Sequence, residues 1–529
     1  MSERFDITGL DIGILIGYLI LSRLIPLWLN RGGGDDSDGY FLGGRNFTWP
    51  LIGFSLFATN MSGASFVGLA GAGYNSGISV YSYEWMAAII LILFVFFILP
   101  FYLRSEVFTM PQFLEERYDR RSRLAFSGFL IFLSMFLDCA GALYAGGLVG
   151  QTLFPVVPLW GHILVLALLA GVYTIFGGLG AVVISDSIQA VVLIIGGTIV
   201  FIMTFLAIPS WEEMAAAAPE GALSIIQPIS DPALPWPGLF TGVLIIGIYF
   251  WTTNQLIVQR TLGAKNLNHG RWGSLFAGFL KLPILFIMVL PGTMAVVLYP
   301  DLANPDLAFP TLAFDLLPIG LRGVILAALV AAITSSVDSV LNSASTLVTM
   351  DYVKTFRPDT SDRTLVLIGR ITTAVVMLVA IFWAPQIQRF PTLWQYFQSV
   401  LAYAVPPIVV VFLVGISWAR GTRDGAFWTL ALMVPTGLVF FVLNEILNLF
   451  TIQFLYASGI SLVLSLIVFV GISLVTEPEP AERIEDLVWK PKIWKQETKD
   501  LADVPWYLNY RYQSVALLVL TAIIVGSFW

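Results

Sequence analysis

FATNMSGASF, residues 57–66, is the stretch around which the chain is organised, because it sets small and polar residues inside an apolar segment. These are Thr59, Asn60, Ser62, Gly63 and Ser65. In hydrocarbon an unpaired main-chain amide or carbonyl is costly, so a helix loosened in this way persists only where it lines a polar cavity or holds a ligand. The stretch predicts a broken helix over a solute and cation site. The alternative is a seam of small residues at which helices pack.

Composition identifies the class of protein. Of the 529 residues, 57% are hydrophobic and 12% are charged, against about 25% charged in soluble domains. Long apolar runs continue to the C-terminus and leave no room for a soluble catalytic domain. We therefore expect an all-α polytopic membrane protein whose partner is the lipid bilayer, and no nucleic-acid partner. The single cysteine, Cys139, rules out an intrachain disulfide.

Hydropathy predicts about fourteen membrane-spanning helices, centred near residues 19, 60, 90, 138, 168, 195, 250, 285, 335, 375, 405, 435, 463 and 520. Alternate loops hold 22 of the 27 lysines and arginines: 30–48, 103–124, 260–272, 353–370, 419–424 and 476–512. Basic loops stay in the cytoplasm. We therefore expect both termini to lie on the outer, non-cytoplasmic side of the membrane and segment 476–508 to be a cytoplasmic linker.

A second polar break, at 251–255 (WTTNQ), follows the first five spans later. An odd number of crossings inverts the second unit relative to the first. The spacing predicts two five-span units of opposite topology. The expected division is an N-terminal helix and loop at 1–47, a first repeat at 48–236, a second repeat at 237–420 and additional helices at 421–529.

Ionisable residues inside predicted spans are functional candidates, because a charge at mid-bilayer costs at least about 2.5 kcal/mol. They are Glu84, Asp138, Asp186, Lys281 and Asp338. Glu84 and Lys281 either bind a solute or neutralise each other, and Asp186 is either a cation ligand or a structural carboxylate. Asp138 faces the solute, pairs with Lys281 or is structural, and the sequence does not rank these three roles.

A hydroxyl-rich helix supplies the second half of the expected cation site. In the run 331–339 (AAITSSVDS), the residues Ser335, Asp338 and Ser339 share one helical face. Oxygen-only ligands suit a hard cation such as sodium, and carbonyls freed at the broken helix would complete the site. The alternative is serine packing with one satisfied aspartate.

Four segments together resemble the sodium/solute symporters, particularly the sodium/glucose cotransporter branch. They are 40–45 (YFLGGR), 82–85 (SYEW), 254–262 (NQLIVQRTL) and 335–343 (SSVDSVLNS). The resemblance runs from about residue 40 to about residue 420. It implies a LeuT-type fold, with two inverted repeats of five helices, and sodium as the coupling ion.

The resemblance also implies ligands for sodium. One sodium would be held by carbonyls of Ala58, Met61 and Ala332 and by the hydroxyls of Ser335 and Ser336. Asp186, Asp338 and Ser339 would lie near a possible second sodium.

For the solute, the resemblance implies binding by Ser65, Glu84, Asn254, Lys281 and Gln398, and an outer hydrophobic gate of Leu69, Tyr83 and Trp394. For the gate residues, ordinary packing at span ends is the alternative. Three positions depart from the sugar-binding branch. Ser65 replaces a glutamine, Ala87 a serine, and Leu256 an aromatic that packs on the sugar, which weakens the case for glucose or galactose.

These observations predict a sodium-coupled symporter of a sugar-like, polyhydroxylated solute, located in a membrane that the compact loops suggest is a bacterial inner membrane. A sodium symporter of a polyol, sialic acid or other organic acid is the alternative. A channel or a sensor with the same transporter-like fold is a further alternative. An enzyme is disfavoured, because the two histidines, His162 and His269, lie at predicted span ends and Cys139 is alone.

Overall fold

Long helices dominate the computed structural model, which describes residues 8–29, 43–107, 109–173 and 179–529. In the first half of the chain the main helices are α1 Gly9–Leu29, α2 Trp49–Asn60, α3 Gly63–Ser76, α4 Ser82–Leu93, α5 Met110–Arg117, α6 Arg120–Leu133, α7 Ala140–Leu153, α8 Leu159–Tyr173 and α9 Leu179–Ala207.

The second half is built in the same way. Its main helices are α10 Leu244–Thr252, α11 Gln255–Leu262, α12 Leu267–Lys281, α13 Leu290–Leu298, α14 Ala308–Leu316, α15 Leu321–Thr346, α16 Asp362–Trp383, α17 Leu393–Ala404, α18 Pro406–Ser417, α19 Val434–Phe441, α20 Phe454–Val475, α21 Pro491–Asp500 and α22 Tyr510–Ser527.

The predicted all-α membrane architecture is confirmed, but the predicted number of spans is not. Among the described residues, eight helices are long and apolar enough to cross a membrane, or up to eleven if each of three bent pairs is one span. The predicted centres fall in helices except the one at 405, which lies at the bend between α17 and α18. Several of the helices are too short or too interrupted to be counted as spans by their length and hydropathy. The number of about fourteen spans therefore stays a prediction.

Both predicted polar breaks interrupt helices. The chain leaves the helix at Met61–Ser62, between α2 and α3, and at Thr253–Asn254, between α10 and α11, where the axes differ by 46°. Each following half-helix is capped by a side chain from the break: Ser62 accepts from the Ser65 amide, and Asn254 accepts from the Leu256 amide. Caps of this kind satisfy amides that a broken helix would otherwise leave without partners.

Glycines let the broken helix α2–α3 approach its neighbours closely. A Cβ on Gly273 of α12 would lie 2.7 Å from Ile52 Cβ on α2, and one on Gly292 of α13 would overlap the Ala70 carbonyl on α3. Small residues at such crossings allow the dense packing that holds helices together in lipid. The interrupted helix is therefore clamped along both of its halves.

We expect Gly292→Ala to destabilise the folded protein by about 1–3 kcal/mol, because overpacking against a main-chain carbonyl cannot be relieved by rotating a side chain. Thermal unfolding in detergent measures the change. Gly471→Ala on α20 is the control, since a Cβ there meets nothing within 4 Å. Equal melting temperatures for both variants would contradict this account of the packing.

Candidate functional site

The break between α2 and α3 exposes main-chain oxygens. The Met61 amide donates to Phe57 O at 2.7 Å, which is the last such bond of α2. The amides of Ser65 and Phe66 donate to Ser62 O, where α3 begins. The Ser65 hydroxyl donates to Asn60 O at 2.6 Å. Ala58 lies in the last turn of α2 and Met61 directly follows that helix, so the helix offers no further amides to their carbonyls.

Helix α15 packs directly against this break. A Cβ on Gly63 would overlap the Ile333 side chain and lie 3.1 Å from Leu329 O. One turn further along α15, the Ser336 hydroxyl donates to Ala332 O at 2.8 Å. The Ser335 hydroxyl makes no hydrogen bond within the described chain. Unpartnered hydroxyl and carbonyl oxygens beside the break fit a hard monovalent cation.

One cavity brings the predicted groups together. It measures about 1190 Å³, counting the part that opens to solvent. Its wall includes the sodium-ligand candidates Ala58, Ala332, Ser335, Ser336 and Ser339 and the solute candidates Ser65, Glu84 and Gln398. Met61 is fully buried and is not part of this wall.

Asp186 is neutralised by a partner within the protein. Its Oδ2 lies 3.1 Å from Arg260 Nη2 and accepts hydrogen bonds from the hydroxyls of Ser55 at 3.1 Å and Thr59 at 3.3 Å. These contacts join α9 to α2 and α11, which favours the structural alternative for Asp186 in this conformation. A cation role for Asp186 stays a prediction. The Asp338 side chain lies outside the described residues.

Lys281 lies behind Glu84 rather than on the cavity wall. Its Nζ is 2.6 Å from Glu84 Oε2 and also donates to Asn60 Oδ1, and its side chain is 0% exposed. The ammonium group is enclosed by its two oxygen partners and the rings of Phe57 and Trp251, which favours mutual neutralisation with Glu84 in this conformation. Direct solute contact by Lys281 stays a prediction. In this conformation Lys281 fixes Glu84 and the broken helix relative to each other.

Asn254 also has a hydrogen-bond partner within the protein. Its Oδ1 accepts from the Leu256 amide at 2.9 Å, and it does not line the described cavity, whereas Leu256 does. The Asn254 oxygen thus caps α11 in this conformation, and solute binding by Asn254 stays a prediction. Gln398, by contrast, lines the cavity, and its Oε1 is buried without a hydrogen-bond partner.

Two of the three predicted gate residues meet above the cavity wall. The rings of Tyr83 and Trp394 pack edge to face with centroids 5.7 Å apart, and both line the cavity. Leu69 is fully buried and lies away from this wall. An aromatic pair of this kind covers a cavity without offering it charge.

Asp306, which no sequence motif singled out, helps to position α17, the helix that carries the gate residue Trp394. Asp306 lies in the loop between α13 and α14, and its Oδ2 accepts from the Leu393 amide, at the first residue of α17, at 2.8 Å. Burial raises the pKa of Asp306 to about 8. The position of the aspartate in a loop gave no signal, because its partner is 87 residues further along the chain.

The chain resembles sodium-coupled cotransporters and matches the profile of one symporter family. The profile of the sodium:solute symporter family matches residues 40–432. Sodium/myo-inositol cotransporter 2 of Bos taurus is 35% identical over 94% of this chain and 82% of its own length. The sodium/glucose cotransporter of Vibrio parahaemolyticus is 36% identical over 81% of this chain and 84% of its own length.

A solved structure of a Na⁺-coupled sialic acid symporter, in a substrate-bound outward-open state, superimposes with a TM-score of 0.74. It is 22% identical and covers 89% of this chain and 99% of its own. At this identity the match shows a shared fold and nothing about the solute.

Proposed function

The chain belongs to the sodium:solute symporter family, and from this we propose that it moves sodium together with a polyhydroxylated solute, a cyclitol or a sugar. The observation that carries the proposal is the single cavity whose wall combines the Ser335 hydroxyl at the broken helix with Glu84 and Gln398. Transport is the activity of this family, which argues against an enzyme. A sodium ion and a solute bound in one cavity can influence each other directly.

Sodium would be held by Ala58 and Met61 on the broken helix and by Ala332, Ser335 and Ser336 on α15. A cation between the two elements favours the conformation in which they lie together, and so raises the affinity for solute in that conformation. Coupling is reciprocal, since each ligand must bind better when the other is present. The sodium gradient supplies the work, because a monovalent charge crossing 100 mV gains about 2.3 kcal/mol.

A cyclitol is the first candidate for the solute, and a pyranose sugar is the second. One relative is a sodium/myo-inositol cotransporter and another a sodium/glucose cotransporter. Leu256 replaces the ring on which sugar-binding relatives would stack an apolar pyranose face, which favours a solute that depends on hydrogen bonds.

We further propose that residues 48–236 and 237–420 are the inverted repeats, that both termini face outward, and that the membrane is a bacterial inner membrane. The two breaks, five spans apart, support the repeats. The outward termini are supported by two contacts: the Ile225 amide donates to Phe528 O at 2.7 Å, and the Gly320 amide donates to Asp11 Oδ1 at 2.8 Å. Both contacts join a terminal helix to a loop expected outside, and compact loops support the bacterial location.

Uptake into proteoliposomes tests the proposed function. We expect radiolabelled myo-inositol or glucose to accumulate under an inward sodium gradient and not when potassium replaces sodium. Uptake by a transporter should saturate with solute concentration at a low turnover rate. The flux through a channel would not saturate in this way. Sodium-independent uptake would contradict the coupling, and no uptake of any polyhydroxylated solute would contradict the solute class.

A further inference from the structure

The cavity wall carries polar groups that the protein itself does not satisfy. Gln398 Oε1 and Trp394 Nε1 are buried without hydrogen-bond partners, in side chains that are 6% and 7% exposed. Asp138 lines the same cavity, and its carboxylate makes no hydrogen bond or ion pair within the described chain. Buried polar groups are almost always paired, so unpaired ones around a cavity indicate a ligand.

Local structure explains why Asp138 faces the cavity. It lies in a π-helical turn, Ser134–Cys139, that joins α6 to α7. A π turn inserts an extra residue and shifts the helical face, and such turns are frequent at functional sites. Three residues later, a Cβ on Gly141 would overlap the Phe397 ring, so this part of the helix lies against α17 beside Gln398. Asp138 and Gly141 share that face.

Charge pairing distinguishes Asp138 from the other described carboxylates of the cavity. Glu84 is paired with Lys281 at 2.6 Å, and Asp186 is paired with Arg260 at 3.1 Å. Asp138 has no cation beside it, although an ionisable group inside a membrane span is costly unless it is paired or faces a polar cavity. The side chains of its neighbours on the wall, Leu137 and Ala142, carry no oxygen atoms. The described residues hold no cluster of three or more metal-ligating side chains.

We propose that Asp138 binds the solute directly, by accepting hydrogen bonds from two adjacent hydroxyl groups. This inference rests on the proposed function and specifies its solute as one that carries a vicinal diol, as cyclitols and pyranoses do. A carboxylate is an acceptor with two oxygens, which matches two neighbouring O–H donors. Hydrogen bonds to an ionised group are about twice as strong as those between neutral groups.

The remaining unsatisfied groups complete the recognition of a hydroxylated ligand. A hydroxyl both donates and accepts, so the same solute can donate to Gln398 Oε1 and accept from Trp394 Nε1. The rings of Phe250 and Phe397 also line the wall, where they would face C–H groups of the solute. Asp138 thereby selects for the arrangement of hydroxyls, because a solute that lacks one of the pair leaves a carboxylate oxygen without a partner.

The test compares Asp138→Asn with wild type in the full-length protein reconstituted in proteoliposomes. The probes are myo-inositol and its monodeoxy analogues, or glucose and its deoxy analogues if glucose is the solute taken up. We expect Asp138→Asn to raise KM for the parent solute about tenfold or more. The KM for the analogue that lacks the paired hydroxyl should change little, and the half-saturating sodium concentration should stay the same.

Ser134→Ala is the matched control, since Ser134 lies in the same π turn and its hydroxyl donates to Leu130 O at 2.9 Å. Its KM values should equal those of wild type. Because KM does not depend on the amount of folded protein, a loss of yield in Asp138→Asn leaves the comparison valid.

Three results would overturn the inference: an unchanged KM in Asp138→Asn, an equal rise for every analogue, or a shift in half-saturating sodium without a shift in KM. The last would identify Asp138 as a cation ligand. If wild type takes up no polyhydroxylated solute, the proposed function itself fails. If wild type transports and Asp138→Asn behaves identically, only the role of Asp138 fails.

Discussion

Replacing Lys281 with methionine is expected to abolish solute uptake and to destabilise the protein strongly. Methionine keeps the length of the side chain and removes its charge. Lys281 Nζ is 2.6 Å from Glu84 Oε2, and the two side chains are 0% and 3% exposed. Breaking a buried ion pair by removing one partner costs about 3–5 kcal/mol, because the other charge is left uncompensated. Uptake and thermal unfolding of the purified variant measure the two effects.

A double variant separates folding from transport. Lys281→Met combined with Glu84→Gln removes both charges, so we expect it to recover much of the lost melting temperature without recovering uptake. Lys265→Met is the surface control, because Lys265 is an exposed lysine. Normal uptake by Lys281→Met would show that the ion pair has no part in forming the solute site.

Removing the hydroxyls of Ser335 and Ser336 together should raise the half-saturating sodium concentration for uptake by roughly tenfold or more, since a contact with a charged group contributes about 1.5–3 kcal/mol. Both hydroxyls lie on α15 where it packs against the broken helix. Ser335→Ala alone should have the larger single effect, because the Ser336 hydroxyl already has a partner in Ala332 O. Initial uptake rates over a sodium titration provide the measurement.

The matched control for the serines is Thr349→Val. Thr349 lies on the π-helical continuation of the same helix, and its hydroxyl donates to Ser345 O at 2.8 Å. The substitution removes one hydroxyl at nearly constant shape and should leave the sodium dependence unaltered. An identical sodium titration for the double serine variant and wild type would place the sodium site elsewhere.

The broken helix was predictable because its cause is local. Ser62 and Ser65 supply the cap and the hydrogen bond to Asn60 O that the break requires, and all three residues stand within one short stretch. The second break follows the same rule, with Asn254 as the cap. Membrane physics makes such stretches conspicuous, because ordinary spans contain few residues that loosen a helix.

Side-chain pairings between distant helices were not predictable in the same way. Lys281 and Glu84 are 197 residues apart, and the sequence allowed both solute binding and mutual neutralisation. Asp186 was placed correctly inside a span, but its neutralisation by Arg260, 74 residues away, follows only because α9 and α11 both pack against α2. Which carboxylate keeps no partner depends on all of these pairings at once, which is why the sequence did not rank the three roles of Asp138.

The most direct test of coupled transport is the reverse experiment, in which solute drives sodium. Proteoliposomes are prepared with equal sodium concentrations on both sides, and an inward gradient of the transported solute is then imposed. We predict that radioactive sodium accumulates inside, since the two ligands cross together and the linkage is reciprocal. No sodium accumulation, while the solute itself enters, would contradict the account that this protein is a sodium symporter.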